Sequence, residues 1–135
     1  MVQKFIDAWD KEQQRLKGEL IQDCLTGADD AYSYKSLVER AWTIATSHSA
    51  EYQKVDLDNL KVFCSGDYSG DYLFIAPLGK GYCGPGDYIY AFIRYGSCSY
   101  CDTLLAIQDN PEPDERAQDY WQMILNIIQQ TKIMQ

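Results

Sequence analysis

Four of the five cysteines lie in the middle of the chain, and they are the residues best suited to chemistry. Cys98 and Cys101 form a CxxC pair, whereas Cys64 and Cys83 are solitary. Together they supply four thiolates, the number that a structural zinc site requires. A typical zinc ribbon has two CxxC pairs, so a redox dithiol and four packed, free cysteines remain alternatives. We therefore expect no cofactor unless these four cysteines bind zinc.

The surroundings of the CxxC pair argue against redox or nucleophilic chemistry. Arg94 is close in sequence and would favour a thiolate, but Asp102, next to Cys101, would disfavour it. No thioredoxin-like strand–helix–strand pattern precedes the pair. His48, the single histidine of the chain, belongs to no local nucleophile motif. The sequence thus predicts no catalytic residue.

Aspartates, tyrosines and a serine around the same window form a candidate binding surface. The predicted binding residues are Asp67, Tyr68, Asp71, Tyr82, Tyr95, Ser97, Tyr100 and Asp102. The chain contains 11 tyrosines, and tyrosine provides a large amphipathic contact at low entropy cost. The alternative is that these aspartates serve turns and that many of the tyrosines pack between sheet and helices.

Residues 79–86 form a glycine-rich segment that resembles a phosphate loop only in composition. The segment leads into a strand, and it lacks the GxxxxGK[ST] pattern. Without a following helix N-terminus, an anion site lacks its main electrostatic component. A loop that closes over a small ligand such as a nucleotide is therefore one of the alternative functions.

Hydrophobic periodicity predicts helices on both sides of this window. Apolar residues at helical spacing predict helices over residues 2–26, 31–49 and 114–133. The aspartates at 29 and 30 are candidate caps of the second helix, and a capping box of Ser36 and Glu39 is the alternative, which would start this helix later. Aromatic and β-branched runs predict strands over residues 61–65, 71–76 and 87–95. Residues 102–107 fit either a fourth short strand or a helical turn capped by Asp102. Residues 87–95 are apolar on both faces, so that strand is covered on both sides or carries exposed aromatic rings on one.

These elements predict a single α+β domain over residues 1–135. Its small antiparallel sheet has three to four strands, with two N-terminal helices and one C-terminal helix packed on it. The net charge of −8 argues against direct nucleic-acid binding. It fits a soluble acidic protein or an acidic face that docks onto a basic partner. With no apolar run near the roughly 20 residues of a membrane span and no signal-peptide core, we expect a cytoplasmic protein without membrane contact.

Three segments carry a resemblance to a known group of proteins. Residues 64–70 (CSGDYSG), 95–104 (YGSCSYCDTL) and 119–121 (DYW) resemble a group of small uncharacterised bacteriophage proteins. The resemblance covers roughly residues 62–132, and it implies a phage genome and the host cytoplasm rather than a reaction. It favours an accessory protein that binds a host protein, such as a defence component, and inhibits or redirects it.

The leading hypothesis is therefore a non-enzymatic binding protein with an acidic, tyrosine-rich surface. A zinc-stabilised or thiol-dependent protein that uses the four cysteines is the first alternative, and a small-ligand sponge is the second. The sequence leaves the oligomeric state open.

Overall fold

The N-terminal helix, α1, spans Gln3–Thr26 in the computed structural model, which describes residues 2–67, 69–80, 87–97 and 102–134. One face of α1 is buried at helical spacing and consists of Phe5, Ala8, Trp9, Leu16, Leu20 and Cys24. The helix ends at Gly27, whose φ of 81° lies in the left-handed region that glycine adopts without strain. The observed bounds agree with the predicted helix to within one residue.

The second helix, α2, spans Tyr34–Ala45 and is shorter than predicted at both ends. It begins later because Ser33, rather than an aspartate of the preceding turn, caps it. The Ser33 hydroxyl accepts a hydrogen bond from the Ser36 N–H at 3.1 Å, and the Ser36 hydroxyl accepts one from the Ser33 N–H at 2.8 Å. This reciprocal pair satisfies two backbone donors that a helix start leaves without partners.

Buried threonines follow the ends of α2 and of the last helix, α4, which spans Pro113–Gln130. The Thr46 hydroxyl donates to the Trp42 carbonyl at 2.9 Å and accepts from the Val55 N–H at 3.1 Å, which ties the end of α2 to the next segment. Thr131 accepts a hydrogen bond from the Trp42 indole at 2.8 Å. These tertiary hydrogen bonds explain why both helices stop a few residues before the apolar spacing does.

A short third helix, α3, spans Thr103–Gln108 and decides between the two predictions for this stretch. The Asp102 carboxylate accepts a hydrogen bond from the Leu105 N–H at 2.9 Å, as an N-cap does. The segment is therefore the helical turn capped by Asp102, not a strand.

Four antiparallel strands form one sheet in the order β1-β2-β3-β4. They are β1 (Lys61–Ser65), β2 (Gly70–Pro77), β3 (Tyr88–Tyr95) and β4 (Lys132–Ile133). The two residues of β4 were predicted as the end of the last helix. They pair with Tyr90 and Ile89 of β3 instead, because the chain leaves α4 beside that strand and finds backbone partners there.

The helices cover one face of the sheet, the inner face, and the outer face is partly exposed. Phe74 and Ala76 of β2 and Ile89 and Ala91 of β3 are buried on the inner face with the apolar residues of the helices. On the outer face Phe92 of β3 is 56% exposed. The strand over residues 88–95 is therefore covered on one side and carries an exposed aromatic ring on the other.

The predicted fold class is confirmed. The protein is α+β, with a four-stranded antiparallel sheet, two long N-terminal helices and a C-terminal helix packed on it. The short helix α3 was one of two predictions for its segment. None of the helices in the described part of the chain is both long enough and apolar enough to cross a membrane.

Candidate functional site

A groove of about 540 Å³ lies where the inner face of β1 and β2 meets the starts of α2 and α3. Four aromatic side chains of one type line it: Tyr32, Tyr34, Tyr72 and Tyr95. Its apolar lining is completed by Val62, Phe74, Leu104 and Leu105. A concave, mostly apolar surface with a few polar groups is the usual form of a binding site in a protein.

The aromatic rings of the groove form one packed cluster centred on Tyr72. The centre of the Tyr72 ring lies 4.5 Å from that of Tyr95, 5.8 Å from that of Tyr34 and 5.6 Å from that of Phe74. The rings are tilted against each other, an arrangement that aromatic pairs prefer to a face-to-face stack. Mutual packing of this kind holds the groove wall in one shape before any ligand arrives.

Asp102 joins three elements around the groove and is only 5% exposed. One of its carboxylate oxygens accepts hydrogen bonds from the Tyr34 hydroxyl at 2.7 Å and from the Leu105 N–H at 2.9 Å. The other oxygen accepts from the Gly96 N–H at 2.7 Å. The carboxylate therefore connects the start of α2, the end of β3 and the start of α3, and it holds these three parts of the groove wall together.

The hydroxyl groups of Tyr34 and Tyr95 are neutral at physiological pH. Burial, followed by the hydrogen bond to Asp102, raises the pKa of Tyr34 above its ordinary value. A hydrogen bond with Cys64, followed by burial, raises the pKa of Tyr95 to about 12. The Tyr95 hydroxyl lies 3.1 Å from the Cys64 sulfur and 3.0 Å from the Gly66 carbonyl oxygen. Tyr95 thus ties the groove to the turn between β1 and β2.

The structure places the predicted binding residues in two settings. Tyr95 and Asp102 line the groove. Asp67, Asp71 and Ser97 are exposed, and they do not line it. The Asp71 carboxylate lies 3.8 Å from the Arg94 guanidinium across the strands, an exposed pair of the kind that contributes little stability. A direct binding role for each of these residues stays a prediction.

The other predicted site residues, Tyr68, Tyr82, Tyr100, Cys83, Cys98 and Cys101, lie outside the described residues. Within the described part of the chain, no three His, Cys, Asp or Glu side chains are grouped to hold a metal ion. Binding of zinc by the four cysteines stays a prediction. The fifth cysteine, Cys24, is buried in the core. Burial and the nearby Asp29 raise the pKa of its thiol to about 11, so the thiol is protonated and unreactive at neutral pH.

The first residues of the glycine-rich segment, Gly79 and Lys80, follow β2, at the opposite end of the sheet from the groove. Pro77 of β2 pairs with Tyr88 at that end, whereas Gly70 pairs with Tyr95 at the groove end. The groove is therefore not built on the described residues of this segment. Closure of the segment over a nucleotide stays a prediction.

Apart from Tyr95 and Asp102, the residues that line the groove were not predicted as site residues, and they include Tyr32, Tyr34, Lys35 and Tyr72. Tyr72 carried a usable signal, because it alternates with Phe74 and Ala76 along β2 and so points to the same face of the sheet. Tyr32 and Tyr34 flank the Ser33 cap, and nothing in their spacing indicates that they meet β2 and β3. Lys35 is exposed at the groove and has no ion-pair partner among the described carboxylates.

Comparison with known proteins adds no further information about the groove. The chain matches no protein-family model, no curated protein and no solved structure. The resemblance to small bacteriophage proteins accordingly stays a prediction, and functional inference depends on the chemistry of the groove.

Proposed function

We propose that the protein is a non-enzymatic binding protein whose tyrosine-lined groove holds an apolar segment of a partner protein. The observation that carries this proposal is the groove itself. It has a volume of about 540 Å³, its walls are mostly apolar and already shaped, and it is open to solvent. Apolar side chains of a partner lose their contact with water when they enter such a site, and this is the dominant favourable contribution to most protein association.

The chemistry of the groove favours binding over catalysis. Asp102 is the single carboxylate that lines the groove in the described part of the chain, and its two oxygens accept three hydrogen bonds that hold three elements together. The raised pKa of Tyr34 keeps its hydroxyl protonated, so it acts as a donor to Asp102 and not as a base. These groups position the walls of the groove, as the preorganised part of a binding site does.

The charge of the protein and the phage resemblance indicate which partner to expect. A net charge of −8, with Asp67 and Asp71 exposed near the groove, attracts a partner with a basic surface. If the chain is phage-encoded, as its motifs suggest, that partner is a host protein whose activity the bound phage protein blocks or redirects. The contribution of the acidic residues weakens as salt screens the charges.

The first prediction tests the groove with a charged side chain placed at its mouth. Leu105 lines the groove and is 37% exposed, so Leu105→Arg is tolerated by the fold and obstructs the apolar site. We expect affinity capture from a host lysate to recover one stoichiometric partner with the wild-type protein. With Leu105→Arg the affinity for that partner falls at least about tenfold, which corresponds to roughly 1.4 kcal/mol.

The matched control is Leu25→Arg, which introduces the same charge at a leucine of α1 that is 61% exposed and lies outside the groove. This variant keeps the wild-type affinity. Titration calorimetry with the purified partner measures both variants. Equal binding by Leu105→Arg and wild type, or the absence of any stoichiometric partner, contradicts the proposed function.

A further inference from the structure

The strand β1 is an edge of the sheet and is exposed over its whole length. Within the described residues it pairs only with β2, and all five of its residues, Lys61–Ser65, are exposed. One side of an edge strand presents unpaired N–H and C=O groups, and these form a template for another strand. Natural proteins usually protect such an edge with proline, with a bulge or with inward-pointing charges. Charged side chains, lysine in particular, have the same effect. Within β1 the one such feature is Lys61, at the first residue, and the other four residues carry no charge and no proline.

The side chains of β1 alternate between the two faces. Val62 and Cys64 lie opposite Phe74 and Tyr72 of β2 and so belong to the inner face. The other three residues belong to the outer face, where Phe63 is 59% exposed. Val62 is 40% exposed even though it belongs to the inner face. The edge therefore combines an apolar centre with unpaired backbone groups.

We propose that β1 pairs with β1 of a second copy of this chain, antiparallel and across a two-fold axis. Such an interface is self-complementary, since each copy contributes the same strand. The register follows from two conditions: side chains opposite each other must share a face, and all five residues must pair. The register that satisfies both places Phe63 opposite Phe63 of the second copy and Val62 opposite Cys64 of the second copy.

The charges along the edge favour a second copy as the occupant. In this register Lys61 lies opposite Ser65 of the second copy. Ser65 pairs with Asp71 in its own sheet, and Asp67 follows two residues later. Asp71 of the second copy then lies one strand beyond Ser65, on the same face as Lys61, and it also lies 3.8 Å from Arg94 of its own chain. The two-fold axis repeats this approach of opposite charges. No described carboxylate forms an ion pair with Lys61 within its own chain.

The outer face supports the same register. Phe63 lies opposite Leu73, and Leu73 lies opposite Phe92, so these side chains form a row across three strands. Joining two copies at Phe63 makes this row continuous across an eight-stranded sheet and covers the ring of Phe63. The two tyrosine-lined grooves then lie on the same side of that sheet. The pairing is a proposal separate from that of the groove, and Val62 is a residue that borders both.

A disulfide across the proposed interface tests the register. Residues directly opposite each other in antiparallel strands have Cα atoms about 4.5–5.5 Å apart, which suits a disulfide. In the proposed register the thiol of Val62→Cys meets Cys64 of the second copy. Cys64 does not meet Cys64 of the second copy, because the two lie two positions out of register. We expect Val62→Cys to give a disulfide-linked dimer on a non-reducing gel after diamide oxidation, and dithiothreitol to reverse it.

The double variant Val62→Cys with Cys64→Ser is the matched control, because it keeps the new thiol and removes its partner. It and the wild type remain uncrosslinked at this site. We expect sedimentation of the wild type without oxidant to show a monomer–dimer equilibrium. The variant Phe63→Asp places like charges opposite each other, so we expect the dissociation constant of its dimer to rise at least tenfold. A monomer at every concentration, or equal crosslinking of Val62→Cys and the double variant, overturns the proposal.

Discussion

Asp29 shows how a single buried carboxylate connects distant parts of this chain. It is fully buried, and one of its oxygens accepts hydrogen bonds from the Arg116 guanidinium at 2.9 Å and from the Tyr120 hydroxyl at 3.0 Å. Arg116 also donates to the Cys24 carbonyl at 3.0 Å. The cluster therefore ties the end of α1 to α4. A buried charge in such a cluster depends on its partners, because each was removed from water to form it.

We expect Asp29→Ala to destabilise the protein by about 3–5 kcal/mol, since it leaves the Arg116 charge partly buried without its partner. Urea denaturation followed by circular dichroism measures the loss. Asp30→Ala is the control, because Asp30 is the exposed neighbour of Asp29, and it changes the stability by less than about 0.5 kcal/mol. Similar losses for the two variants would contradict a stabilising role of the buried pair.

Among the elements, the turn that joins β1 to β2 depends on glycine at both of its ends. Gly66 has a φ of 90°, which favours glycine, and a Cβ added there would overlap the Ser69 carbonyl oxygen. A Cβ on Gly70 would overlap the Ser65 carbonyl oxygen. In α1, by contrast, a Cβ on Gly18 would meet no atom within 4 Å. The same substitution therefore has opposite consequences in the two elements.

For these two elements we predict that the same glycine-to-alanine substitution changes the stability in opposite directions. Gly18→Ala stabilises the protein by about 0.5–1 kcal/mol, because alanine costs less backbone entropy in a helix interior. Gly70→Ala destabilises it by more than about 1 kcal/mol, because the added methyl group forces the backbone of the turn apart. Urea midpoints of the two variants decide the matter. If Gly70→Ala were neutral or stabilising, the turn would have enough space for a methyl group at residue 70, and the prediction would be wrong.

At the scale of the whole molecule, hydrogen bonds from buried or half-buried tyrosines to carboxylates join separate elements in three places in the described part of the chain. Tyr32 donates to Asp23 at 2.6 Å, Tyr34 to Asp102 at 2.7 Å, and Tyr120 to Asp29 at 3.0 Å. In each case burial is the largest cause that raises the tyrosine pKa above 10.0, and the hydrogen bond to the carboxylate is the next. The folded state therefore holds these protons more tightly than the unfolded chain does.

The pH dependence of stability follows from this difference. Below about pH 10 the three tyrosines are protonated in both states, so their hydrogen bonds contribute fully. As pH rises above about 10 the unfolded tyrosines lose protons while the folded ones do not, so the free energy of unfolding falls. Urea denaturation over an alkaline pH series measures the fall. The Tyr34→Phe protein shows a smaller pH dependence, and an unchanged dependence would contradict the contribution of Tyr34.

The sequence alone determined the fold class and most of the elements. Helical spacing of apolar residues located α1, α2 and α4, and alternating or aromatic runs located β1, β2 and β3. These patterns are readable because each depends on residues within one or two turns of a helix or along one strand. The helix ends at Thr46 and Thr131 were predicted less well, because each threonine takes its hydrogen bonds from another part of the chain.

The groove was decided by the tertiary structure. Tyr34 and Asp102 are 68 residues apart and form one hydrogen bond, and Tyr95 contacts a sulfur 31 residues earlier in the chain. Asp102 and Tyr95 were singled out from the sequence as binding residues, but nothing local showed that Tyr32, Tyr34 and Tyr72 would lie beside them. Local spacing specifies which face a side chain occupies. Packing of the helices on the sheet specifies which faces meet, and only that packing brings the rings and the carboxylate to one groove.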